Sequence, residues 1–376
     1  MKKIKPDIIK DIIGSNIEGI DAVTVVPVIP LGDAARKVIE SIEKGFVPES
    51  YHWTREKTEH AYRYKNYSAW ARSVIVAAIS YYTDEKYPKD QLTGRIARFT
   101  WRNNYRYLSL KLEKAVKALG KTLGVKIKSK SLSNYTSLPE KALFNYSGIA
   151  RFGKNSVLLN RDMGSYFVIG EALTDLEVEF DRIDPLKPPD FSPCGECERC
   201  LRACPTGAIV QAGEIDIKRC FQYISENLIL MPVSYREKWG NRLYGCSECI
   251  DVCPFNRNLD PRAPKHNTGY VGQGVNLIEI LKMGAEQWER LFHENQVGIR
   301  DKNAILKNAI TSLGYLGYRK SLKYLLSFLE HENKIIRAYT AWAIGKINTK
   351  TGKKRLISRY KDETVDSVRT EIEPFL

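Results

Sequence analysis

The fold of this chain is decided by the stretch Cys194-Gly-Glu-Cys197-Glu-Arg-Cys200-Leu-Arg-Ala-Cys204-Pro205. A related stretch, Cys246-Ser-Glu-Cys249-Ile-Asp-Val-Cys253-Pro254, follows about 50 residues later. Close Cys-x2-Cys-x2-Cys spacing lets one loop bind three corners of a 4Fe–4S cubane, while the cysteine before proline serves a neighbouring cluster. The two stretches therefore predict a ferredoxin-like domain with two 4Fe–4S clusters.

The same spacing predicts that the two clusters exchange their fourth ligands. The first cluster is predicted to bind Cys194, Cys197, Cys200 and Cys253. The second is predicted to bind Cys204, Cys220, Cys246 and Cys249, which uses all eight cysteines of the chain. The alternative is a pair of zinc sites with four cysteines each, but zinc favours well-separated Cys-x2-Cys pairs over three cysteines in seven residues.

Breaks on both sides of the cysteine region divide the chain. Asp184-Pro-Leu-Lys-Pro-Pro-Asp190 interrupts regular structure because proline lacks an amide donor, and Asn258 to Gly274 is rich in Pro, Gly and Asn. We predict an α+β multidomain protein with a mixed α/β catalytic domain over 1–183, the ferredoxin-like two-cluster domain over 184–262, a linker and helical transition over 263–300, and a helical repeat domain over 301–376.

Local patterns predict several elements upstream of the cysteines. Ser73 to Tyr81 is an apolar, partly β-branched run that suits a buried strand, and Tyr105 to Leu119 carries apolar residues at helical spacing. Ser156 to Leu159 and Tyr166 to Ile169 are predicted as strands separated by a turn at Met163-Gly164.

The C-terminal region contains an internal repeat. Lys307 to Gly314 aligns with Ala338 to Gly345 at an offset of 31 residues. Two such units predict a short stack of helix pairs that resembles HEAT repeats. Two unrelated amphipathic hairpins are the alternative.

The composition indicates the compartment in which the protein is found. The 376 residues are 43% hydrophobic and 27% charged, and no apolar run approaches the ~18 residues that span a membrane. The N-terminal MKKIKPDIIKDI lacks the apolar core of a signal peptide, and cysteines confined to one 60-residue window point to metal ligands, not disulfides. We expect a cytoplasmic protein that does not bind membranes.

The formal net charge of +15 implies an anionic partner, for which nucleic acid is the common cytoplasmic candidate. The C-terminal basic residues are either a phosphate-binding face or a solvated face, and they are Lys346, Lys350, Lys353, Lys354 and Arg355. A generally basic surface kept for solubility is the alternative.

Beyond the cysteine motifs, several short segments resemble the epoxyqueuosine reductase family, cobalamin-dependent iron–sulfur enzymes of tRNA modification that are related to reductive dehalogenases. The resemblance is carried by Ser73-Val-Ile-Val76, Ala97-Arg-Phe99 with Trp101 and Tyr105, Gly153-Lys-Asn155, Gly164-Ser-Tyr166, Gly170-Glu171, Asn241-Arg-Leu-Tyr-Gly-Cys246 and Ala341-Trp-Ala-Ile-Gly345. It covers nearly the whole chain.

The resemblance implies a cobalamin-binding N-terminal domain in which the clusters reduce cobalt to Co(I). The reduced cofactor would remove the epoxide oxygen of epoxyqueuosine at the wobble base, leaving queuosine. The implied partners are the tRNA anticodon stem-loop and an external electron donor such as flavodoxin or ferredoxin, and the expected state is a monomer. The residues implied to bind cobalamin are Arg98, Asn134, Lys154, Asn155, Ser156, Ser165 and Tyr166.

The sequence departs from the family at the position of its proposed proton donor. Asn134 stands where the family has an aspartate, and Asn104-Tyr105-Arg106 replaces a segment that is usually Asp-Tyr-His. An amide does not deliver a proton as a carboxylic acid does, and general acid catalysis is worth about 10²–10⁴-fold. Two alternatives therefore stay open: a diverged cobalamin and iron–sulfur reductase with another substrate, and a non-catalytic electron-transfer or RNA-binding protein.

Overall fold

The computed structural model describes residues 3–63, 68–134, 138–180 and 192–376. The chain forms two compact units, each assembled from three separate stretches. The first unit comprises residues 1–84, 104–218 and 248–266, and the second comprises 85–103, 219–247 and 267–376. The predicted boundaries at residues 183, 262 and 300 stay predictions, and the proline-rich break at 184–190 lies outside the described residues.

The helices in the described parts of the chain are mostly short. In chain order they are α1 (Pro6–Asn16), α2 (Gly32–Glu43), α3 (Arg55–Tyr62), α4 (Asn104–Leu123), α5 (Glu140–Ser147), α6 (Arg199–Ala203), α7 (Phe221–Glu226), α8 (Val233–Arg236), α9 (Glu248–Asp251), α10 (Leu277–Lys282), α11 (Ala285–Phe292), α12 (Lys302–Leu316), α13 (Leu322–Leu325), α14 (Lys334–Ile347), α15 (Lys350–Asp362) and α16 (Asp366–Ile372). None of these helices combines the length and the apolar composition that crossing a membrane requires.

The strands of the described residues form four small sheets. In chain order they are β1 (Ala22–Pro27), β2 (Ser73–Ser80), β3 (Thr93–Ile96), β4 (Ser129–Leu132), β5 (Arg151–Phe152), β6 (Leu158–Leu159), β7 (Phe167–Thr174), β8 (Ile209–Gln211), β9 (Glu214–Ile215), β10 (Arg242–Tyr244) and β11 (Gly274–Asn276).

A four-stranded antiparallel sheet forms the centre of the first unit. Its strand order is β1-β2-β7-β4, and every residue of β2 is buried. A continuous apolar run is expected for a strand that is hydrogen-bonded on both edges and covered on both faces. The predicted strand from Ser73 is therefore confirmed, as is the predicted helix, which extends over α4.

Helices cover both faces of this sheet. On β7, a Cβ added at Gly170 would lie 3.0 Å from the side chain of Leu108, so one face of the strand packs against α4. Because side chains alternate along a strand, Ile169, Glu171 and Leu173 point to the opposite face. There α5 packs against β7 and β2 over a cluster of buried apolar side chains.

Two predicted strands differ from the observed ones. Ser156, the first residue of one predicted strand, has a φ of 56°, and this left-handed conformation excludes it from the strand. The observed strand β6 contains only Leu158 and Leu159, which pair with β5. The strand predicted at Tyr166–Ile169 is twice as long and runs to Thr174. The pair Gly170-Glu171 interrupts the apolar run, so the sequence pattern does not indicate that the strand continues beyond Ile169.

The second unit contains a three-stranded sheet that the sequence did not predict. Its order is β10-β3-β11, with β10 parallel and β11 antiparallel to β3. Each strand has three or four residues and comes from a different stretch of the chain. The edge strand β10 ends at Tyr244, two residues before Cys246. The Ala97 amide holds this end of the strand by donating to the Tyr244 carbonyl at 2.8 Å.

The repeated helices α12 and α14 pack against each other, and α14 packs against α16. Trp342 is buried between them as helix packing predicts. The equivalent glycines of the two repeats, Gly314 and Gly345, each lie where a neighbouring element approaches closely. A Cβ at Gly314 would lie 2.6 Å from the ring of Trp342 and 2.8 Å from the Ala343 Cα.

Gly314→Ala should therefore destabilise the second unit. Added methyl groups in a closely packed site typically cost about 1–3 kcal/mol, and here the obstructing atoms include backbone. Gly284→Ala is the matched control, since a Cβ there meets nothing within 4 Å. Urea unfolding of both variants checks the prediction, and equal midpoints would contradict it.

Candidate metal centre and active site

All eight cysteines are half-buried thiols. Among the residues that the structure describes, no group of three or more His, Cys, Asp or Glu side chains is arranged to hold a single metal ion. In the first unit, α6 carries Cys200 and packs against α9, which carries Cys249. The two predicted ligand stretches are thus adjacent although about 50 residues separate them in sequence.

The structure brings Cys253 back to the first cysteine stretch. Burial raises the pKa of the Cys253 thiol, and the nearby thiols of Cys194 and Cys197 raise it further. Burial likewise raises the pKa of Cys200, with added repulsion from Cys194 and Cys253. These four thiols affect one another electrostatically, as four ligands of one cluster would; the ligand assignment itself stays a proposal.

Cys204 lies in a different electrostatic environment. Burial raises its pKa, but hydrogen bonds from the Ile209 and Ala208 amides and from Thr206 outweigh burial, so the pKa is lowered. The Ala208 N–H lies 3.2 Å from the Cys204 Sγ. Metal ligation requires a thiolate, and these donors favour that form.

Cys220 and Cys246 lie in the second unit, whereas Cys204 and Cys249 lie in the first. Cys220 immediately precedes α7, and two side chains of α7 bind the other cysteine segment. The Cys246 amide donates to Gln222 Oε1 at 3.1 Å, and the Gly245 amide donates to Ser225 Oγ at 2.9 Å. The segments that carry these two cysteines are therefore adjacent within the second unit.

A buried lysine and a buried asparagine on α12 donate hydrogen bonds to backbone carbonyls of α7, of the residue after it and of β10, close to the two cysteines. Lys307 donates its ammonium to the carbonyl oxygens of Ile224 and Asn227 at 2.5 and 2.8 Å. Asn308 donates its amide to the carbonyls of Ser225 and Leu243, both at 2.8 Å. Burial lowers the pKa of Lys307 to about 7. In the linear sequence Lys307 and Asn308 are only two positions of the 31-residue repeat, which gives no sign of these contacts.

Three of the residues predicted to bind cobalamin contact the second cysteine stretch or the turn that follows it, and their predicted role stays a prediction. The Ser165 amide donates to Asn256 Oδ1 at 2.7 Å, and the Tyr166 hydroxyl donates to the Asp251 carboxylate at 2.9 Å. The Asn155 side-chain amide donates to the Cys249 carbonyl at 3.3 Å. These contacts join the upstream loops of the first unit to the predicted cluster ligands.

Asn256 is a further residue whose role the linear sequence does not indicate. Its side chain also donates to the Ile250 carbonyl at 2.6 Å, and a side chain at Gly164, which has a φ of 59°, would collide with it. Its position two residues after Cys253-Pro254 gave no signal, because an asparagine after a turn is common.

The remaining predicted residues fall into two groups. Ser156 donates its hydroxyl to the Gly213 carbonyl at 2.9 Å, and Arg98, in the second unit, donates to the Glu85 carbonyl at 3.0 Å and stacks on Trp101. By contrast, neither the Lys154 ammonium nor the Asn134 amide has a hydrogen-bond partner within the described residues. Asn134 is exposed, with a φ of 58° that asparagine and aspartate tolerate.

Comparison with protein families identifies two regions. Residues 193–256 match the 4Fe-4S double cluster binding domain, and residues 300–373 match HEAT repeats. The iron–sulfur interpretation of the cysteines and the repeat interpretation of the C-terminal helices are thereby confirmed.

Whole-chain comparisons agree. The epoxyqueuosine reductase of Bacillus anthracis is 28% identical over 309 residues, which cover 78% of both chains. This chain resembles the epoxyqueuosine reductases. A structure of epoxyqueuosine reductase from Bacillus subtilis, with its catalytic aspartate loop swung out of the active site, superposes with a TM-score of 0.85 at 25% identity, covering 98% of this chain and 96% of that one.

A second solved structure adds a substrate to the comparison. It is a crystal structure of epoxyqueuosine reductase with an epoxyqueuosine-modified tRNA-Tyr stem loop, and it superposes with a TM-score of 0.83 at 26% identity. It covers 98% of this chain and 95% of its own. The family resemblance and the mixed α/β, ferredoxin-like and HEAT-like fold class predicted from sequence are confirmed.

Changing Cys253 to serine should damage the cluster that Cys194, Cys197 and Cys200 bind, because its thiol neighbours theirs. Wild-type protein reconstituted without oxygen should carry about eight iron per chain, and the variant about four. Iron and sulfide analysis with electron paramagnetic resonance checks this. Cys204→Ser is the control and should damage the partner cluster, and the same damage in both variants would contradict the exchange of ligands.

Proposed function

We propose that this chain is an oxidoreductase that reduces epoxyqueuosine to queuosine at the wobble base of tRNA. The observation that carries the proposal is the similarity to epoxyqueuosine reductases over 78% of the chain, together with a superposition over 98% on a relative that holds a modified tRNA stem loop. The double cluster domain supplies the means of electron transfer that a reductase needs.

Cobalamin is part of this proposal through the resemblance. When bound, Co(I) cobalamin would supply the two-electron nucleophile that attacks the epoxide. Lys154 and Asn134 suit contacts with a bound group, because neither polar side chain is engaged within the described residues. Asn155, Ser165 and Tyr166 would instead shape the site by fixing its loops to the cysteine stretch.

The partners follow from the same proposal. The tRNA anticodon stem-loop would bind a basic surface, and Lys353, Lys354 and Arg355 are exposed on α15. We place the reaction in the cytoplasm, carried out by a monomer that receives electrons from an external donor such as flavodoxin or ferredoxin.

A second candidate function is favoured by Asn134. The Bacillus subtilis relative is described as having a catalytic aspartate loop, and this chain has an amide at the position assigned to that acid. A diverged reductase of the same cofactors, acting on a substrate that needs no such acid, fits this difference. Assay of the reconstituted protein on tRNA bearing epoxyqueuosine separates the two functions.

Affinity for tRNA should fall steeply with salt, because phosphate neutralisation releases counterions, and the logarithm of the binding constant falls against the logarithm of salt concentration with a slope of about −0.9 per phosphate contact on duplex. Replacing Lys353, Lys354 and Arg355 by glutamine should flatten that slope. The control removes three exposed lysines from α4, namely Lys114, Lys117 and Lys121. Filter binding at several salt concentrations measures the slopes, and equal slopes in both triple variants would refute a dedicated phosphate face on α15.

Asn134→Asp should raise the rate of epoxyqueuosine reduction at least roughly tenfold, because a general acid contributes about 10²–10⁴-fold. Aspartate accepts the same backbone conformation as asparagine, so tRNA affinity should change little. Single-turnover assays with a fixed amount of reductant test this. If the native chain is already fully active and the variant is slower, Asn134 is not a lost acid.

A further inference from the structure

A lysine lies fully inside the second unit. Lys307, on α12, is 0% exposed, and its ammonium donates to two backbone carbonyls. Burying an ammonium is strongly unfavourable unless neighbouring groups compensate for its lost hydration. Burial is the cause of its lowered pKa, and among the described residues no carboxylate offsets it. The groups that compensate are therefore uncharged, and their places in the chain show what the lysine holds.

The helical repeat does not itself require a charge at this position. The offset of 31 residues aligns Lys307 with Ala338 and Asn308 with Tyr339. Ala338 lies in α14 and is buried like Lys307. Since an uncharged methyl group occupies the equivalent place in the next repeat helix, the packing of a repeat helix does not account for the lysine. What sets Lys307 apart is that it binds residues outside the repeats.

The ammonium of Lys307 binds the C-terminal end of α7. It donates to the carbonyl of Ile224, in the last turn, at 2.5 Å and to the carbonyl of Asn227, the residue after the helix, at 2.8 Å. Carbonyls at this end of a helix lack intrahelical partners and carry partial negative charge. The six residues of α7 span about 9 Å, and the Ile224 amide donates to the Cys220 carbonyl at 2.9 Å. A continuous line of hydrogen bonds therefore runs from Lys307 through Ile224 to Cys220.

Asn308 joins α7 to the strand that precedes the second of these cysteines. Its side-chain amide donates to the Ser225 carbonyl of α7 and to the Leu243 carbonyl of β10, both at 2.8 Å. From α7 itself, Gln222 Oε1 accepts a hydrogen bond from the Cys246 amide at 3.1 Å. Two adjacent residues of α12 thus bind the segments that carry both cysteines of the second unit.

Two aromatic rings complete the surroundings of the ammonium. The Lys307 Nζ lies 5.9 Å from the centre of the Trp239 ring and 6.0 Å from the centre of the Tyr339 ring. Both rings are buried. A cation is attracted to the face of an aromatic ring, and more strongly where water is excluded. Carbonyl oxygens and ring faces favour the charged form of the lysine, so the second unit contains an internal positive charge at the end of α7.

We propose that Lys307 raises the reduction potential of the cluster that Cys220 and Cys246 are predicted to bind, and that Asn308 fixes the segments of these two ligands. The reduced form of a cluster carries one more negative charge than the oxidised form, so a buried positive charge one short helix away favours reduction. Both residues are positioning residues. Since α12 belongs to the HEAT repeats, the repeat domain is part of the iron–sulfur site.

The inference goes beyond the proposed function, because it concerns electron transfer and not the substrate. It rests on the assignment of Cys220 and Cys246 to one cluster. Reduction of that cluster takes one electron from a carrier protein, and Lys307 changes only the equilibrium of this step. No covalent bond of the chain forms or breaks.

The first test measures both reduction potentials of the reconstituted chain at pH 6, below the pKa of Lys307 at about 7. Potentiometric titration followed by electron paramagnetic resonance resolves one single-electron step for each cluster. Lys307→Met should make the reduction of one cluster about tenfold less favourable, a shift of about 59 mV to lower potential. The potential of the other cluster should stay unchanged.

Three further variants separate charge from packing. Lys307→Gln keeps a hydrogen-bond donor but loses the charge, so it should lower the same potential as Lys307→Met. Lys307→Arg retains the charge and should stay near the wild-type potential. Thr311→Val is the matched control, because Thr311 is equally buried one turn further along α12 and its hydroxyl donates to the Lys307 carbonyl at 2.7 Å. It should change neither potential.

The second test measures how firmly the ligand segments are held. Asn308→Ala removes the hydrogen bonds to the Ser225 and Leu243 carbonyls. Hydrogen exchange at the Cys246 amide of the reconstituted chain should therefore become at least roughly fivefold faster, the usual effect of losing one hydrogen bond. Iron release to a chelator should accelerate for one cluster and not for the other. Thr311→Val should match the wild type in both measurements.

The outcomes are distinct for the two residues. Equal potentials in the wild type, Lys307→Met and Lys307→Gln overturn the role of Lys307, as does an equal shift of both clusters. A shift in Lys307→Met that Lys307→Gln does not share assigns the effect to hydrogen bonding and overturns the role of the charge. Unchanged exchange at Cys246 in Asn308→Ala overturns the role of Asn308.

The same measurements separate this inference from the proposed function. Iron and sulfide analysis shows which variants carry both clusters, and where Lys307→Met loses one, Lys307→Gln decides. None of the measurements uses tRNA. Failure of the reconstituted chain to reduce epoxyqueuosine therefore overturns the function alone, and unchanged potentials overturn this inference alone.

Discussion

The convergence of four thiols around Cys194 is the constraint on which the functional part of the first unit depends. Cys253 must return to a stretch that lies more than 50 residues earlier, and the packing of α6 against α9 makes this possible. Burial raises the pKa of Cys200 and Cys253, and repulsion from the neighbouring thiolates raises it further. A cationic cluster offsets that repulsion, so cluster binding and formation of this region stabilise each other.

The same cysteine stretch also positions the loops upstream of it. Asn256 and Asp251 accept hydrogen bonds from Ser165 and Tyr166, and the Cys249 carbonyl accepts one from Asn155. These residues therefore link the upstream loops to the predicted ligand segment, and their predicted contacts with a cofactor stay a prediction. A change in that segment would therefore reach these upstream loops through hydrogen bonds shorter than 3.5 Å.

Two polar residues of the first unit, Asn134 and Glu171, lie in contrasting surroundings. Asn134 is exposed, whereas Glu171 is buried among apolar side chains. Within the described residues the Glu171 carboxyl has no hydrogen-bond partner, and burying such a group costs stability. In the second unit, Lys307 is also a charged residue in the interior, but its ammonium donates hydrogen bonds to the Ile224 and Asn227 carbonyls, in α7 and directly after it.

The sequence alone determined what local patterns encode: the cysteine spacing, the apolar run of β2, the helical period of α4 and the 31-residue repeat. Each of these depends on neighbours within a few residues or on a repeated period. Only the tertiary structure decided the three-residue strands β10 and β11, the full length of β7, the role of Asn256 and the burial of Glu171. These depend on contacts between residues tens of positions apart, and a glutamate in a linear pattern carries no sign of whether a helix will cover it.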